Sequence, residues 1–428
     1  MSNKDNPGSG FHALTVKRVS DWSSALLKNV ARAPAMQFRD FRLLVTASLF
    51  DGMAFIGESV ILGWVILEMT DSPFMVGVAM SIRHAPAFFL GLVGGTIADI
   101  VDRRKLMRSL NVLSALVALS MAVLLISGEA KLWHLLLLPA IGGTIATISM
   151  TTRQSFVYDV LGRQNALRGL ALIGLATRTG GMVGALILGG ILAKYGPGAG
   201  YFVLSGGYLI STLILTLISS RGQAAPTGGL SIPRGLLEFW TELRHNRTVS
   251  ALVVIIVLVE FFGFTTQTLM PSLARDVLHI GPGGLGVLSA FRSGGGMLAI
   301  AAVSTFGEIR HQGLALIAVI QVFGAALVVL GFASNIYVTV IAIVIMSGMM
   351  ALSDLFSQTL MQRLVPNELR GRAMGAWSMA VGTAPIGSLE IGALASVFGI
   401  TVAFVFHGSG LIAVSFLTLA AFGRLRRV

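Results

Sequence analysis

Apolar stretches long enough to cross a lipid bilayer recur along the whole chain. A hydrocarbon core about 30 Å thick requires about twenty apolar residues at a rise of 1.5 Å each. Dividing the 428 residues at charged and Pro/Gly-rich breaks gives twelve such stretches. They are residues 41–67, 74–98, 106–127, 132–156, 166–192, 199–219, 249–274, 283–306, 313–333, 336–360, 371–397 and 400–422. We therefore expect an all-α integral membrane protein with about 12 transmembrane helices.

Composition agrees with a membrane protein and argues against several classes of soluble protein. Apolar residues make up 54% of the chain and charged residues 12%, which leaves too little polar surface for a water-soluble globule of this size. The chain has no cysteine, which excludes disulfides, cysteine metal sites and thiol catalysis. The glycine run 294–296 lacks the following Lys-Ser/Thr of an ATP-binding loop, and no hydrolase motif is present. We expect no enzyme activity, no cofactor, no bound metal and no direct use of ATP.

The basic residues are distributed asymmetrically about the twelve stretches. If the N-terminus is cytoplasmic, 25 of the 31 lysines and arginines fall at that side. Only Lys131, Lys194 and Arg275 fall at the other side, while Arg83, Arg178 and Arg292 lie within stretches. An excess of basic residues marks the cytoplasmic side of membrane proteins. Both termini are therefore expected in the cytoplasm, and the basic excess does not indicate nucleic-acid binding.

The segments outside the apolar stretches divide the chain. Residues 1–40 form a cytoplasmic N-terminal tail, in which the spacing of Leu14, Val19 and Trp22 between basic residues fits either an amphipathic helix on anionic lipid or a disordered tail. Residues 220–248 read as a polar cytoplasmic linker. It separates a six-helix bundle at 41–219 from a second at 249–422, and residues 423–428 form a basic cytoplasmic tail.

An internal repeat supports two related bundles. An offset of about 209 residues superposes polar residues that are rare in their apolar surroundings. The superposed pairs are Asp51 and Glu260, Gly77 and Gly286, Arg83 and Arg292, and Asp99 and Glu308. We therefore expect two pseudo-symmetric six-helix halves.

Ionisable residues inside the apolar stretches indicate function, because placing one in a bilayer costs at least about 2.5–3.5 kcal/mol. Glu58 and Arg83 both lie about 25 Å from the cytoplasmic side, so they are expected to meet. By the repeat, Arg292 matches Gln267 in depth. Asp51 lies about 10 Å closer to the cytoplasm and needs another partner or water.

Two interpretations of these residues remain open. The acids can bind protons in a cavity, or the charges can neutralise one another and hold helices in register. The cavity or proton-coupling candidates are Asp51, Glu58, Arg83, Glu260 and Arg292. Arg178, Asp354 and Glu390 are candidates for contact with substrate, with bonding to backbone carbonyls or internal pairing as the alternative. His407 is an isolated histidine, short of the several ligands that a metal requires.

Four short motifs carry a resemblance to a known family. They read GTIADIVDRRK at 95–105, RQ at 153–154, LGRQN at 161–165 and VPNELRGR at 365–372. Together they resemble the major facilitator superfamily, in the branch that contains enterobactin-type siderophore exporters and macrolide-efflux proteins. One departure weakens the inference of obligatory antiport, because the fifth stretch lacks the Gly-Pro step that usually accompanies it.

The resemblance implies two six-helix bundles around a central cavity, working by alternating access, in a bacterial cytoplasmic (inner) membrane or one derived from it. It further implies proton-coupled export of a small molecule such as a siderophore or drug. The alternatives are a permease for iron or an iron-related solute in a magnetosome-type organelle membrane, and a non-transporting scaffold.

The motif at 95–105 follows the second stretch and is expected to act in conformational change. With its repeat, it supplies contacts between halves that favour the cytoplasm-closed state, called here the loop 2–3 lock. Simple capping of the loop is the alternative. The residues concerned are Gly95, Asp99, Asp102, Arg103, Arg104 and Glu308.

Overall fold

The computed structural model describes residues 34–220, 222, 247–306, 311–365, 377 and 379–421, with the backbone alone at 89–100, 163, 167, 247–248, 304–306 and 421. These residues are predominantly helical, and they contain no strand. The expected tail amphipathicity and the tail at 423–428 lie outside the described residues, as does most of the linker at 220–248. Glu308 also lies outside them.

Six helices form the first half. They begin with α1 at Arg39–Thr70, α2 at Pro73–Ile100 and α3 at Arg103–Ile126. A helical run at Leu132–Thr216 follows, with non-helical backbone at Gly162 (φ 68°, ψ 168°) and Gly196 (φ 80°, ψ 175°). Such angles are open almost only to glycine. These two glycines divide the run into α4 at Leu132–Gly162, α5 at 164–195 and α6 at 197–216.

The second half begins with an irregular helix. This helix, α7, starts at Arg247–Gly263 and continues through a 3-10 segment at Phe264–Leu269, one turn at Met270–Ser272 and a π turn at Leu273–Val277. The remaining helices are α8 at Gly281–Phe306, α9 at Gln312–Phe332, α10 at Ile336–Leu364, α11 at Ala384–Phe398 and α12 at Ile400–Ala421. Counting α2 at Pro73–Ile100 as a membrane helix, and α5 and α6 as two helices divided at Gly196, gives about twelve membrane helices within the described residues. The predicted all-α membrane architecture is confirmed.

Contacts between helix ends define the two faces of the molecule. Asp40 at the start of α1 accepts hydrogen bonds from the backbone of Ser219 and Ser220 after α6, and Arg104 lies beside them. We call this the Arg104 face. At the other end, Arg275 of α7 contacts Asp71 after α1. We call this the Arg275 face.

The two halves meet closely near the Arg275 face. Gly77 of α2 packs against the Ser388 carbonyl and Gly392 of α11, while Gly286 of α8 packs against Gly189 of α5. Gly77 and Gly286 are a superposed pair of the sequence repeat, so equivalent glycines make equivalent crossings. Small residues allow backbones to approach in this way. The crossings position charged residues of both halves around one interface.

Candidate functional site

Asp51 is held in a polar cluster inside the first half. Its carboxylate forms an ion pair with Arg153 of α4 and accepts a 3.1 Å hydrogen bond from Asn111 of α3. Asn111 also donates to Ser211 of α6 at 2.9 Å. Asp51 and Asn111 are both buried. The cluster therefore joins four helices. Arg153 and Asn111 are the partners that Asp51 needs because it lies too far from Arg83 along the membrane normal to pair with it.

Glu58 and Arg83 form a second buried pair. The Arg83 guanidinium lies 3.1 Å from the Glu58 carboxylate and also donates to the Ser59 hydroxyl at 2.8 Å and the Phe55 carbonyl at 2.9 Å. It stacks 4.3 Å from the centre of the Phe55 ring. The Arg83 side chain is 1% exposed and that of Glu58 14%, which leaves the carboxylate as the accessible member. The expected meeting of these two residues is confirmed.

The second half repeats this bond with a different acceptor. Arg292 donates to the Gln267 side-chain oxygen at 2.9 Å, as the matched depths predicted. Glu260, the repeat partner of Asp51, is 2% exposed, and its Oε2 has no hydrogen-bond partner within the described part of the chain. It interacts electrostatically with Asp354 of α10. The sequence repeat therefore corresponds to a repeated arrangement in space. The charges of the matched residues differ between the halves.

Charged residues of both halves come together at the interface. Arg178 of α5 lies against α8, where a β-carbon at Gly296 would be 2.9 Å from its guanidinium nitrogen. Arg178 interacts electrostatically with both Asp354 and Arg292. His84 of α2 interacts with Arg292 as well. These residues, with Glu260 and Gln267, are called the inter-half cluster.

Glu390 is placed apart from this cluster. Its carboxyl oxygen lies 2.6 Å from Nε2 of His407 on α12, so the structure shows the internal pairing that the sequence left open. His407 also contacts the Phe262 carbonyl at 2.9 Å.

The motif at 95–105 makes several contacts within the first half. Asp102 caps α3 by accepting hydrogen bonds from the backbone of Arg104 and Lys105 at 2.9 and 3.3 Å. Arg103 forms bonds to both carboxyl oxygens of Asp159 at 2.8 and 2.9 Å. Arg104 donates to carbonyls that follow α6. Basic side chains at a helix C-terminus satisfy its free carbonyls and complement its dipole. Gly95 and Asp99 are described by their backbone alone.

A family model described as transmembrane secretion effector, within the major facilitator superfamily, matches residues 31–427. The chain belongs to the transmembrane secretion effector family. Because the match covers nearly the whole chain, this family member is a multi-pass membrane transporter of the major facilitator type.

The family member also resembles named exporters. It is 25% identical to the enterobactin exporter EntS of Citrobacter koseri over 366 residues, which cover 85% of this chain and 86% of that protein. It is 27% identical to the enterobactin exporter EntS of Salmonella typhi over 367 residues, with coverage of 85% and 87%.

Solved structures share the fold at low identity. The nucleoside transporter NupG matches with a TM-score of 0.74 at 12% identity, covering 90% of this chain and 99% of that one. The peptide transporter POT in complex with sulfate matches with a TM-score of 0.75 at 13% identity, covering 91% and 95%. The expected fold of two six-helix bundles agrees with these likenesses.

Some residues of this family member have roles that sequence reasoning missed. Arg153 belongs to one of the four motifs and is not predicted as the partner of Asp51, although it lies about 14 Å from the end of α4 and so near the depth of Asp51. Asn111 gave no signal of its own. His407 gave a signal only as a rare polar residue in an apolar stretch. Among the described residues, no group of three or more His, Asp or Glu side chains is placed to hold a metal.

Proposed function

We propose that this transporter exports a small molecule of the siderophore class across the bacterial cytoplasmic membrane by alternating access. The observation that carries the proposal is the inter-half cluster, in which Arg178 packs against α8 and interacts electrostatically with Arg292 of the opposite half. Guanidinium groups bind planar anionic oxygens, such as those of catecholates and carboxylates. The similarity to enterobactin exporters supports this substrate class. The iron-permease and scaffold alternatives gain no such support.

We infer that protons are the coupling ion. Asp51, Glu58 and Glu260 are acids within membrane-spanning helices, where a charged carboxylate is costly. Among the described residues, one Glu260 carboxyl oxygen has no hydrogen-bond partner, and Glu260 interacts electrostatically with a second carboxylate, Asp354. A proton shared between two such carboxylates relieves their repulsion. Proton binding and anion binding would then occur in one cluster, which is the arrangement that coupling requires.

Transport in proteoliposomes tests both parts of the proposal. A pH gradient should drive efflux of a catecholate siderophore by the wild type, and Arg178→Ala should lower its affinity about tenfold or more. At least one of Asp51→Asn, Glu58→Gln and Glu260→Gln should lose the effect of the gradient while siderophore exchange continues. Glu129→Gln, in an exposed loop, is the control. Retained coupling in all three acid variants would reject proton coupling, and absent flux in inserted wild type would reject the substrate class.

Both termini are proposed to be cytoplasmic on the distribution of 25 against three basic residues. Protease-cleavable tags on the two termini should be protected from protease added to intact spheroplasts, and they should be cleaved once the membrane is opened. Cleavage of either tag in intact spheroplasts would contradict this orientation.

The loop 2–3 lock remains a proposal, supported by the repeat of Asp99 and Glu308. Gly95, Asp99 and Glu308 would act between halves, while Asp102 caps α3. Arg103 and Arg104 hold the loop against α4 and α6. Asp99→Asn and Glu308→Gln should populate the cytoplasm-open state more, measured by spin-label distances between the halves. Distances equal to those of the wild type in both variants would leave loop capping as the role of the motif.

A further inference from the structure

His407 of α12 is bonded through both ring nitrogens. Nδ1 lies 2.9 Å from the carbonyl oxygen of Phe262 on α7, and Nε2 lies 2.6 Å from a carboxyl oxygen of Glu390 on α11. The His407 side chain is 0% exposed and that of Glu390 28%. Three helices therefore meet at one imidazole ring that solvent does not reach.

The partners of Nδ1 determine which nitrogen carries the permanent hydrogen. The Phe262 carbonyl can only accept a hydrogen bond. The Thr265 hydroxyl lies 3.3 Å from the same nitrogen, but it donates to the Phe261 carbonyl at 3.2 Å. Nδ1 must therefore be the donor, an assignment made from the hydrogen-bond network. A neutral His407 then presents a lone pair at Nε2.

The bond at Nε2 requires one further proton. A lone pair at Nε2 facing an ionised carboxylate 2.6 Å away would bring two acceptors together without a hydrogen between them. We propose that Glu390 and His407 form a proton-binding site. Ionised Glu390 and neutral His407 take up one proton between Oε2 and Nε2, which makes the pair neutral. When the proton leaves, the hydrogen bond breaks and one negative charge remains on Glu390.

The helices packed around Glu390 and His407 supply no described side chain that would offset a charge on the pair. Helices α2, α7, α9, α11 and α12 make its principal packing contacts. Helix α9 has no ionisable residue, and α11 and α12 have none besides the pair within the described residues. The described ionisable side chains of α2 and α7 have other partners: Arg83 bonds Glu58, His84 bonds the Met80 carbonyl, Arg275 bonds Asp71 and Asp276, and Glu260 interacts with Asp354. A charge left on Glu390 would therefore have no described cation to offset it.

The imidazole of His407 also contacts α7 where its backbone changes. Phe262 lies just before the change from α-helix to a 3-10 segment at Phe264, where regular backbone bonding ends. His407 donates to its carbonyl at that point. Glu260 and Gln267 of the inter-half cluster flank this point along α7. The pair acts as a positioning site for them and does not itself belong to the cluster.

Thermal unfolding of the full chain in nanodiscs tests the proposal. The unfolding midpoint of the wild type should fall as the pH is raised, because loss of the shared proton breaks the hydrogen bond between Glu390 and His407. Glu390→Gln supplies an amide hydrogen to Nε2 at every pH, so this fall should be reduced or lost. The exposed Glu129→Gln is the matched control and should behave as the wild type. A pH-independent wild type, or an equal fall in Glu390→Gln, would overturn the proposal.

Nitrogen NMR of histidine-labelled protein gives a readout that does not depend on stability. The His407 signals are those that change in Glu390→Gln. Nδ1 should stay protonated while the Nε2 signal shifts with pH in the wild type, and an unprotonated Nδ1 would overturn the assignment. Both measurements are made without substrate. A negative export assay would therefore contradict the proposed export and not the proton-binding site. A negative titration would contradict the proton-binding site and not the proposed export.

Discussion

At the scale of single residues, the two halves show what a buried arginine requires in this fold. Arg83 bonds Glu58 and Arg292 bonds Gln267 at equivalent positions, with 3.1 and 2.9 Å between the atoms. One acceptor is charged and the other is neutral. The position therefore requires an acceptor of the right reach, while the charge of that acceptor is free to differ. Removing the arginine instead leaves several hydrogen-bond acceptors without their donor at once.

We expect Glu58→Gln to be mild and Arg83→Met to be severe. Glu58→Gln makes the pair that Arg292 already has, and should cost about 1 kcal/mol or less of unfolding free energy. Arg83→Met leaves a partly buried carboxylate inside the membrane without its partner and should cost about 3–5 kcal/mol. Unfolding in mixed detergent micelles measures both, with the exposed Lys194→Met as a control for loss of charge. Equal costs would mean that the charge of Glu58 is itself required.

At the scale of helices, glycines set how closely the halves approach. Gly189 and Gly190 are neighbours on α5 with opposite surroundings. A β-carbon at Gly189 would lie 2.6 Å from Gly286 Cα, whereas one at Gly190 would meet nothing within 4 Å. The two positions therefore separate the effect of close packing from that of helix propensity.

Gly189→Ala should push α5 and α8 apart at the Arg275 face, and Gly190→Ala should not. Overpacking of this kind costs about 1–3 kcal/mol, which favours states open at that face. Spin labels at the exposed Tyr195 and Val397 report the distance between halves there, and the absence of cysteine allows both to be introduced without background labelling. A longer mean distance for Gly189→Ala alone is expected. The same distance in both variants would contradict the role of this crossing.

At the scale of the whole molecule, Arg275 ties the halves together at one face. It donates to the Leu67 carbonyl at 3.0 Å and to Asp71 at 2.5 Å, both at the end of α1, and to Asp276 beside it at 2.6 Å. Asp71 has left-handed backbone (φ 50°), which ends α1, and its backbone N–H donates to the Leu67 carbonyl. Arg275 donates to the same carbonyl from the other half. Alternating access would require these bonds to break when the face opens.

Arg275→Gln should favour opening of the Arg275 face. The Asp71 side chain is 85% exposed, so the ion pair is worth about 0.2–1 kcal/mol and is weakened by salt. The open population should rise by at most about fivefold, with the larger effect at low salt. The label pair at Tyr195 and Val397 measures it, and Asp276→Asn, which keeps the bonds to α1, is the control. An unchanged distribution at low salt would show that Arg275 does not hold the halves.

The sequence by itself determined the membrane helices, the repeat and the pairing of Glu58 with Arg83. Hydrophobic length and helical rise are properties of a segment taken alone, so depth in the bilayer follows from counting residues. The breaks between the predicted stretches at 157–165 and 193–198 contain Gly162 and Gly196, where the helices divide because only glycine readily adopts these backbone angles.

Only the tertiary structure decided which residues of equal depth face each other. Asp51 meets Arg153 and Asn111, and Glu390 meets His407, because the packing of helices distant in the chain sets the rotation of each about its axis. That rotation depends on side-chain contacts over the whole bundle. It also brought Arg178 and Arg292 of opposite halves to one interface, which no count along the chain specifies.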